Sequence, residues 1–476
     1  MANLPSEAML RDLAGRLGPR GFSRDPADMA PWLTDWRGRW RGRAAALVSP
    51  ADTAEVQAIV GRCAAEGVAI VPQGGNSSMV GGATPDEGGA ALLLSLRRMK
   101  AIRRLSPDDN SLVAEAGAIL ADVHAAAEGI GRRFPLTLGA KGSATVGGLV
   151  STNAGGTQVL RFGPMRSLVL GLEAVLPDGS VLEGLSALRK DNRGYDLKQL
   201  LIGAEGTLGV VTAASLRLVP AIGSRAVAWV GLDSPVAALG LLRRLEDRLG
   251  DSVESFELVP KAALSLVLRH IPGARAPLGE DHAWNVLVET VAPQGAPEAG
   301  PALESALAGA IGAGLAADAA LAASEAQAEA LWRLRDSISE AERHAGAAAK
   351  HDISVPVSAM PRFVETIAAA VERRFPGTTV IAFGHLGDGN VHFNVQAPAG
   401  ADGAAWLDSA APHVSAFVYA ETQAAGGSIS AEHGIGQMKR EALAASTSTV
   451  QLAVQRAIKQ ALDPNGIMNP GKLLPG

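Results

Sequence analysis

The sequence predicts a mixed fold, α/β or α+β, spread over two or three domains. Three observations predict it. The chain has 476 residues, against roughly 150 for an average domain. Residues 43–220 alternate strand-like and helix-like runs, the pattern of α/β and α+β proteins. Near Pro220 the texture changes: residues 221–330 are Ala-rich, with helix-like runs set between strand-like ones. Hydrophobic residues make up 47% and charged residues 19% of the chain, enough apolar surface for a packed core and too much for disorder.

The elements follow in order. At the start, Ser6 caps a helix that places Leu10, Leu13 and Leu17 on one face. AALVSP is a short strand. Asp52–Glu66 is a helix opened by Asp52 or Thr53. VAIVPQGGN is a buried strand running into a glycine loop, and ALLLSL is another strand. Residues 171–176, 200–202 and 209–219 carry further strand character. In the Ala-rich stretch, residues 235–249 and 302–335 read as helices, and residues 226–231 and 283–290 as strands. Residues 379–395 are β-like. A helix over 408–425, a glycine-rich patch over 426–436 and an irregular tail, LDPNGIMNPGKLLP, complete the chain.

Composition excludes several functions. Net charge is −5, and the 18 aromatic residues (7 Trp, 2 Tyr, 9 Phe) accompany no Lys/Arg block, so a nucleic-acid surface is not expected. Cys63 is the only cysteine. An internal disulfide and a cysteine-built zinc or iron–sulfur site are therefore impossible. No basic segment leads into an apolar core at the start. The longest apolar stretch, residues 307–317, is too short to cross a bilayer. A soluble, cytoplasmic protein without a transmembrane segment is expected.

Glycine is the anomaly. It accounts for 55 of 476 residues, well above the usual value of about 7%. Residues 72–209 hold 23 of the 55, clustered at 74–82, 139–156 and 203–209, each beside a strand. Small, side-chain-poor loops with hydroxyl and amide neighbours suit a pyrophosphate, because successive N–H groups converge on the anion. The alternative is three tight turns. Neither the Rossmann G-x-G-x-x-G nor the P-loop signature occurs, so a dinucleotide would need another loop architecture.

The segments Pro72–Gly82, Pro135–Gly156 and KDNRGYDLKQLLIGAEGTLG, with GHLGDGNVHFNV, SISAEHGIG and DPNGIMNPGK further on, resemble the vanillyl-alcohol oxidase/PCMH-type FAD superfamily. Within it, Leu386 and Ala431 fit the D-2-hydroxyglutarate dehydrogenase branch. The resemblance implies an α+β fold. A two-part FAD domain (residues 1–220) would carry an antiparallel-sheet cap domain (221–415), and a C-terminal segment (416–476) would complete it. It implies that Gly74, Gly75, Asn76 and Ser77 wrap the FAD pyrophosphate and that Pro72 also belongs to the cofactor site. Pro135, Gly139, Ser143, Gly147 and Gly148 would line other parts of the cofactor, as would Asn153, Gly209 and Val210, and Asn469 would return to the flavin. Non-covalent FAD is expected, since no His lies near the 74–82 loop and Cys63 sits in a helix.

Histidines are scarce, nine in all, yet His385, His392 and His433 fall in two short motifs. The alternation in VHFNV puts His392 and Asn394 on one strand face, and Asp388-Gly389-Asn390 forms a turn that folds His385 back. Two imidazoles, an amide oxygen and a carboxylate, with Glu432 the candidate, suit a divalent ion such as zinc. The spacing alone also fits histidines that serve only the turn and strand. The resemblance implies that His385, His392 and Glu432 bind the metal and that Asn394 contacts substrate or metal. His433 is the candidate base, a neutral imidazole at pH 7; otherwise it orients Glu432.

Residues 332–340 read as one helix with Arg335 and Ser339 on a shared face. Arg335 suits a substrate carboxylate bidentately, and Lys350 with Ser339 suits a second. Arg333 competes with Arg335, and all of these side chains could simply be solvated. The family pattern maps onto Arg335, Ser339 and Lys350, with Ser in place of Thr, which implies a roomier pocket. The implied reaction is oxidation of D-2-hydroxyglutarate by hydride transfer to FAD. D-lactate or broader D-2-hydroxy-acid oxidation stays open, as does a metal- or nucleotide-binding module without redox chemistry. An electron-transfer flavoprotein or a quinone is the candidate acceptor, and a homodimer the candidate assembly.

Overall fold

The computed structural model describes residues 3–475. The chain divides into two compact units. The first comprises residues 1–156, 163–220 and 432–476; the second comprises 157–162 and 221–431.

In the first unit, a small sheet orders the strands Phe22–Ser23, Ala46–Val48, Leu92–Ser95 and Ile70–Gln73, the last three parallel. Two helices cover it. Glu7–Gly21 is capped by the Ser6 hydroxyl, which accepts from the Met9 N–H, and buries Leu10, Leu13 and Leu17. Thr53–Glu66 is capped by Asp52 and stopped by left-handed Gly67. The C-terminal tail returns to this sheet, where the Ile70 N–H donates to the Ile467 carbonyl (2.8 Å) and the Asn469 N–H to the Ile70 carbonyl (2.8 Å). A second, antiparallel sheet orders Ile102–Ser106, Ser111–Glu115, Val210–Arg217, Val169–Val175 and Val181–Gly184.

The second unit is built on a seven-stranded antiparallel sheet. Its order is Asp318–Leu321, Ile222–Leu232, Trp284–Pro293, Val253–Pro260, Thr379–His385, Asn390–Gln396 and Ala348–Ser354. Strand alternation splits its side chains between two faces. Ala228, Val230, Phe256, Leu258, Val391, Phe393 and Val395 face one large apolar core with the helices Pro235–Leu249, Ala299–Gly312, Met360–Arg374 and Ala411–Ala424. Val227, Trp229, Val259, Ile381 and Phe383 face the other, with the helices Lys261–His270, Glu325–Asp336 and Ile338–Ala345. Each fully buried Val, Leu, Ile or Phe among them contributes about 1.5–3 kcal/mol over an exposed one.

Several sequence expectations are corrected. Residues 200–202 are not a strand: Lys198–Leu201 is a single helical turn, ended by Gly203 at φ +82°. The run 302–335 is not one helix. Ala299–Gly312 ends before Gly314 (φ +70°), an edge strand Asp318–Leu321 follows, and Ser324 caps a new helix, Glu325–Asp336. The 408–425 helix is two, Gly403–Ser409 and Ala411–Ala424, divided where Pro412 cannot supply a helical N–H. Residues 332–340 are also two helices, meeting at Ser337, so Arg335 is half-buried and Ser339 exposed rather than sharing a face. Position 415 lies inside a helix of the second compact unit, which continues to Ala431 and also takes in residues 157–162.

Candidate active site

The first unit gathers the glycine loops. A side chain on Gly75 would stand 1.8 Å from the Ser143 carbonyl oxygen, and one on Gly74 would stand 2.2 Å from the Thr145 hydroxyl. These glycines therefore let the 74–77 loop lie directly against the 143–148 segment. A side chain on Gly147 would stand 2.7 Å from the Ala116 methyl, and one on Gly206 (φ +72°) 3.1 Å from the Pro72 ring. Asn76 adopts φ +53°, and its amide donates to the Thr34 carbonyl (2.9 Å). The backbone N–H groups of Gly75, Asn76 and Ser77 have no acceptor among the described residues, the arrangement that accepts an anion.

The tail completes this region. The Asn469 amide donates to the carbonyls of Gly82 (2.9 Å) and Glu205 (2.7 Å). Its Oδ1 and the Thr145 hydroxyl are buried without partners among the described residues. Buried polar atoms of this kind call for a polar ligand, so the loops fit a dinucleotide. Other expected cofactor residues stand differently. Gly139 and Ser143 are exposed and Pro135 is buried. Asn153 ends a helix at φ +49°, its Oδ1 accepting from the Arg166 N–H (2.8 Å). Gly148 lies half-buried beside Thr145, and Gly209 leads into Val210, whose side chain belongs to the apolar core. Cys63 is fully buried in its helix, and burial raises its thiol pKa far above the usual range.

Sequence reasoning missed Glu205. Its carboxylate accepts from the Ile435 N–H (2.7 Å) and the Gly436 N–H (2.7 Å). It thereby fixes the backbone just after Glu432 and His433, which begin the last stretch of this unit. Burial raises its pKa, and those two bonds, with Lys439 and Lys472 nearby, oppose the rise.

In the second unit, register and alternation bring the expected polar residues to one sheet face. Phe383 pairs with His392, Lys350 with Asn394, and Asp352 with His392. With the intervening residues turned into the large core, His385, His392, Asn394, Lys350 and Asp352 share the opposite face. The rings of His385 and His392 are 5.8 Å apart, centroid to centroid. Arg335 approaches from the Glu325–Asp336 helix and lies over the Phe383 ring at 5.3 Å. Arg333 instead donates to the Pro272 carbonyl at an exposed position (3.3 Å). Ser428 pairs with Ser354, and the Ala431 N–H donates to the Asp352 carbonyl (3.3 Å). Glu432 is the next residue in the chain.

Two buried acids absent from the sequence reading organise this face. Glu257 accepts from Arg335 Nε (2.8 Å) and faces His385 Nδ1 (2.6 Å). Burial alone would raise its pKa, but His385 and Arg335 outweigh burial and hold it down to about 2. Glu342 receives Lys350 Nζ (3.2 Å) and both its oxygens accept from the Asn394 amide (3.0 and 2.8 Å). Both acids are essentially solvent-free. A sequence signal existed for each: Glu257 sits mid-strand in FELVP, and Glu342 lies four residues after Ile338, on an apolar helix face.

His385 thus turns Nδ1 to Glu257, the contact by which a carboxylate commonly orients a histidine that binds a metal through its other nitrogen. Two imidazoles on paired strands are donors suited to a borderline divalent cation.

Comparison with known proteins agrees with this architecture. Residues 44–184 match the family described as "FAD binding domain" and residues 223–473 the family described as "FAD linked oxidases, C-terminal domain". A structure of p-cresol methylhydroxylase with substrate bound shares the fold, with a TM-score of 0.74 at 14% identity over 98% of this chain and 96% of that one. The fold class is therefore α+β, a PCMH-type FAD-binding domain with an antiparallel-sheet cap domain. The chain is 39% identical to the mitochondrial D-2-hydroxyglutarate dehydrogenase of Bos taurus over 98% of its length and 83% of that protein's. It is 38% identical to the one from Arabidopsis thaliana over 96% of its length and 80% of that protein's. The chain belongs to the D-2-hydroxyglutarate dehydrogenase family of FAD-dependent D-2-hydroxy-acid dehydrogenases. Among the described residues, no helix is long and apolar enough to cross a membrane.

Proposed function

We propose that the protein oxidises D-2-hydroxyglutarate to 2-oxoglutarate with the help of a divalent metal, zinc being the best match to the donor set. One observation carries this reading. One sheet face presents two imidazoles and Lys350, the Arg335 cation reaches it from the covering helix, and buried acids orient both cations and one of the imidazoles. A dicarboxylate bearing an α-hydroxyl matches that set: two cations for two carboxylates, and a metal for the hydroxyl.

Gly74, Gly75, Asn76 and Ser77 would hold the FAD pyrophosphate through backbone N–H groups, with Pro72, which has no N–H to donate, beside the cofactor. Gly147, Gly148 and Asn469 would meet other parts of the cofactor, as would backbone at Pro135, Gly139, Ser143, Asn153, Gly209 and Val210. Bound flavin supplies the hydride acceptor. His385, His392 and Glu432 would hold the metal, which lowers the pKa of a coordinated hydroxyl. Arg335 would bind one substrate carboxylate, and Lys350 the distal one. Asn394, fixed by Glu342, would direct its carbonyl oxygen to substrate or metal. His433 would take the hydroxyl proton as the Cα–H bond breaks.

The exposure of Ser339 favours a second reading at this end of the site, broader D-2-hydroxy-acid or D-lactate oxidation. Comparing kcat/KM for D-2-hydroxyglutarate and D-lactate in wild type and Lys350→Ala separates the two. The dicarboxylate reading predicts that the variant loses the preference for D-2-hydroxyglutarate, by about tenfold or more. An unchanged ratio rejects Lys350 as the specificity residue.

A further inference from the structure

We infer that Glu257 is a positioning residue that locks the metal-ligating histidine and the substrate-binding arginine into one unit. This rests on the functional reading above and deepens it. Glu257 lies on Val253–Pro260, the central strand of the second unit's sheet, where residues 257 and 385 are direct register partners. Its two oxygens are divided. Oε1 faces His385 Nδ1 at 2.6 Å, and Oε2 accepts from Arg335 Nε at 2.8 Å.

The division has three consequences. With Nδ1 turned to Glu257 Oε1, Nε2 is the nitrogen that His385 would offer a metal. Second, the Arg335 guanidinium is rotated so that Nε is consumed inward. Its Nη2, buried and without a partner among the described residues, remains for a substrate oxygen. Third, one carboxylate fixes the separation between the two groups that would hold the hydroxyl end and a carboxylate of the same substrate. A fully buried acid with both oxygens engaged has little freedom to shift, so the spacing is set before substrate arrives. The Phe383 ring beneath Arg335 closes the remaining side.

The test uses the purified, flavin-loaded enzyme and two variants. Glu257→Gln keeps the shape but offers one oxygen to two donors. Glu257→Asp keeps the charge but is too short to span both. Zinc affinity is measured by competition with a chromophoric chelator, alongside KM and kcat for D-2-hydroxyglutarate and the melting temperature. Outer partners of metal ligands typically change metal affinity about 10–100-fold. Each folded variant should weaken zinc affinity or raise KM by at least about tenfold, while kcat at saturating zinc and substrate stays within about threefold. A purely structural role would lower the melting temperature and leave both constants unmoved. If Glu257→Gln does not fold, Glu257→Asp carries the test. Zinc affinity and KM both within twofold of wild type overturn the inference alone. A wild-type enzyme that binds no divalent metal overturns the functional reading and this inference together.

Discussion

Gly75→Ala is the most direct probe of how the flavin loops are built. The new methyl carbon would sit 1.8 Å from the Ser143 carbonyl oxygen and 2.7 Å from its carbon. Both are backbone atoms, so no side-chain rotation relieves the clash. An ordinary contact needs about 3.4 Å, so the two loops must separate by roughly 1.5 Å, and strain of this kind costs about 1–3 kcal/mol. The strain falls on the segment whose unpaired N–H groups would face the pyrophosphate. It should appear as weaker FAD binding, about 5- to 150-fold. Fluorescence titration of the apoprotein with FAD reads the affinity, and the flavin-to-protein absorbance ratio after desalting reads retention. Gly61→Ala supplies the control: the same change inside the Thr53–Glu66 helix meets nothing within 4 Å and should stabilise the helix by about 0.5–1 kcal/mol. A Gly75→Ala protein that retains flavin with wild-type affinity would refute the claim that loop contact shapes the cofactor site.

Two further outcomes are expected. His433→Ala should remain yellow, because no flavin contact is assigned to it, while kcat falls about 10²–10⁴-fold; activity within threefold of wild type removes the base assignment. Glu173 tests the pH dependence of the first unit: its carboxylate accepts from the hydroxyls of Thr53 (2.6 Å) and Thr212 (2.7 Å) and from Arg103 (3.1 Å). Burial raises its pKa, but these bonds prevail and hold it below the ordinary 4.5. The unfolded chain therefore binds more protons in that window, so the stabilisation is complete above the ordinary value and is lost as pH falls below it. The melting deficit of Glu173→Gln should be constant at neutral pH and shrink on acidification; a deficit that grows in acid contradicts the assignment.

Much of this was legible in the sequence, and the rest shows where local patterns stop informing. Alternation in VHFNV placed His392 and Asn394 on one face because strand period is local. Ser6 and Asp52 announced their helices because a cap is a local hydrogen bond. The glycine clusters marked a binding region, but their reason was only half visible. Gly74 and Gly75 are small because loop 143–148 lies against them, a non-local contact that no spacing encodes. Residues 332–340 kept helical periodicity through Ser337, so the division there into two helices went unseen, and Ser339 proved exposed. Glu205, Glu257 and Glu342 were missed because an acid reads as surface until its tertiary partners are known. Glu257 and Glu342 hold His385, Arg335, Lys350 and Asn394, and Glu205 holds the backbone at Ile435 and Gly436.

The central proposal is that this chain passes a hydride from a D-2-hydroxy acid to FAD and needs a divalent metal to do so. The most direct measurement is anaerobic mixing of the flavoprotein with D-2-hydroxyglutarate, following the visible band of oxidised flavin. The account predicts that the D enantiomer bleaches the band and the L enantiomer does not. Chelation should abolish bleaching, and added zinc should restore it. A flavin that stays oxidised with D-2-hydroxyglutarate, or that bleaches equally well after chelation, would contradict it.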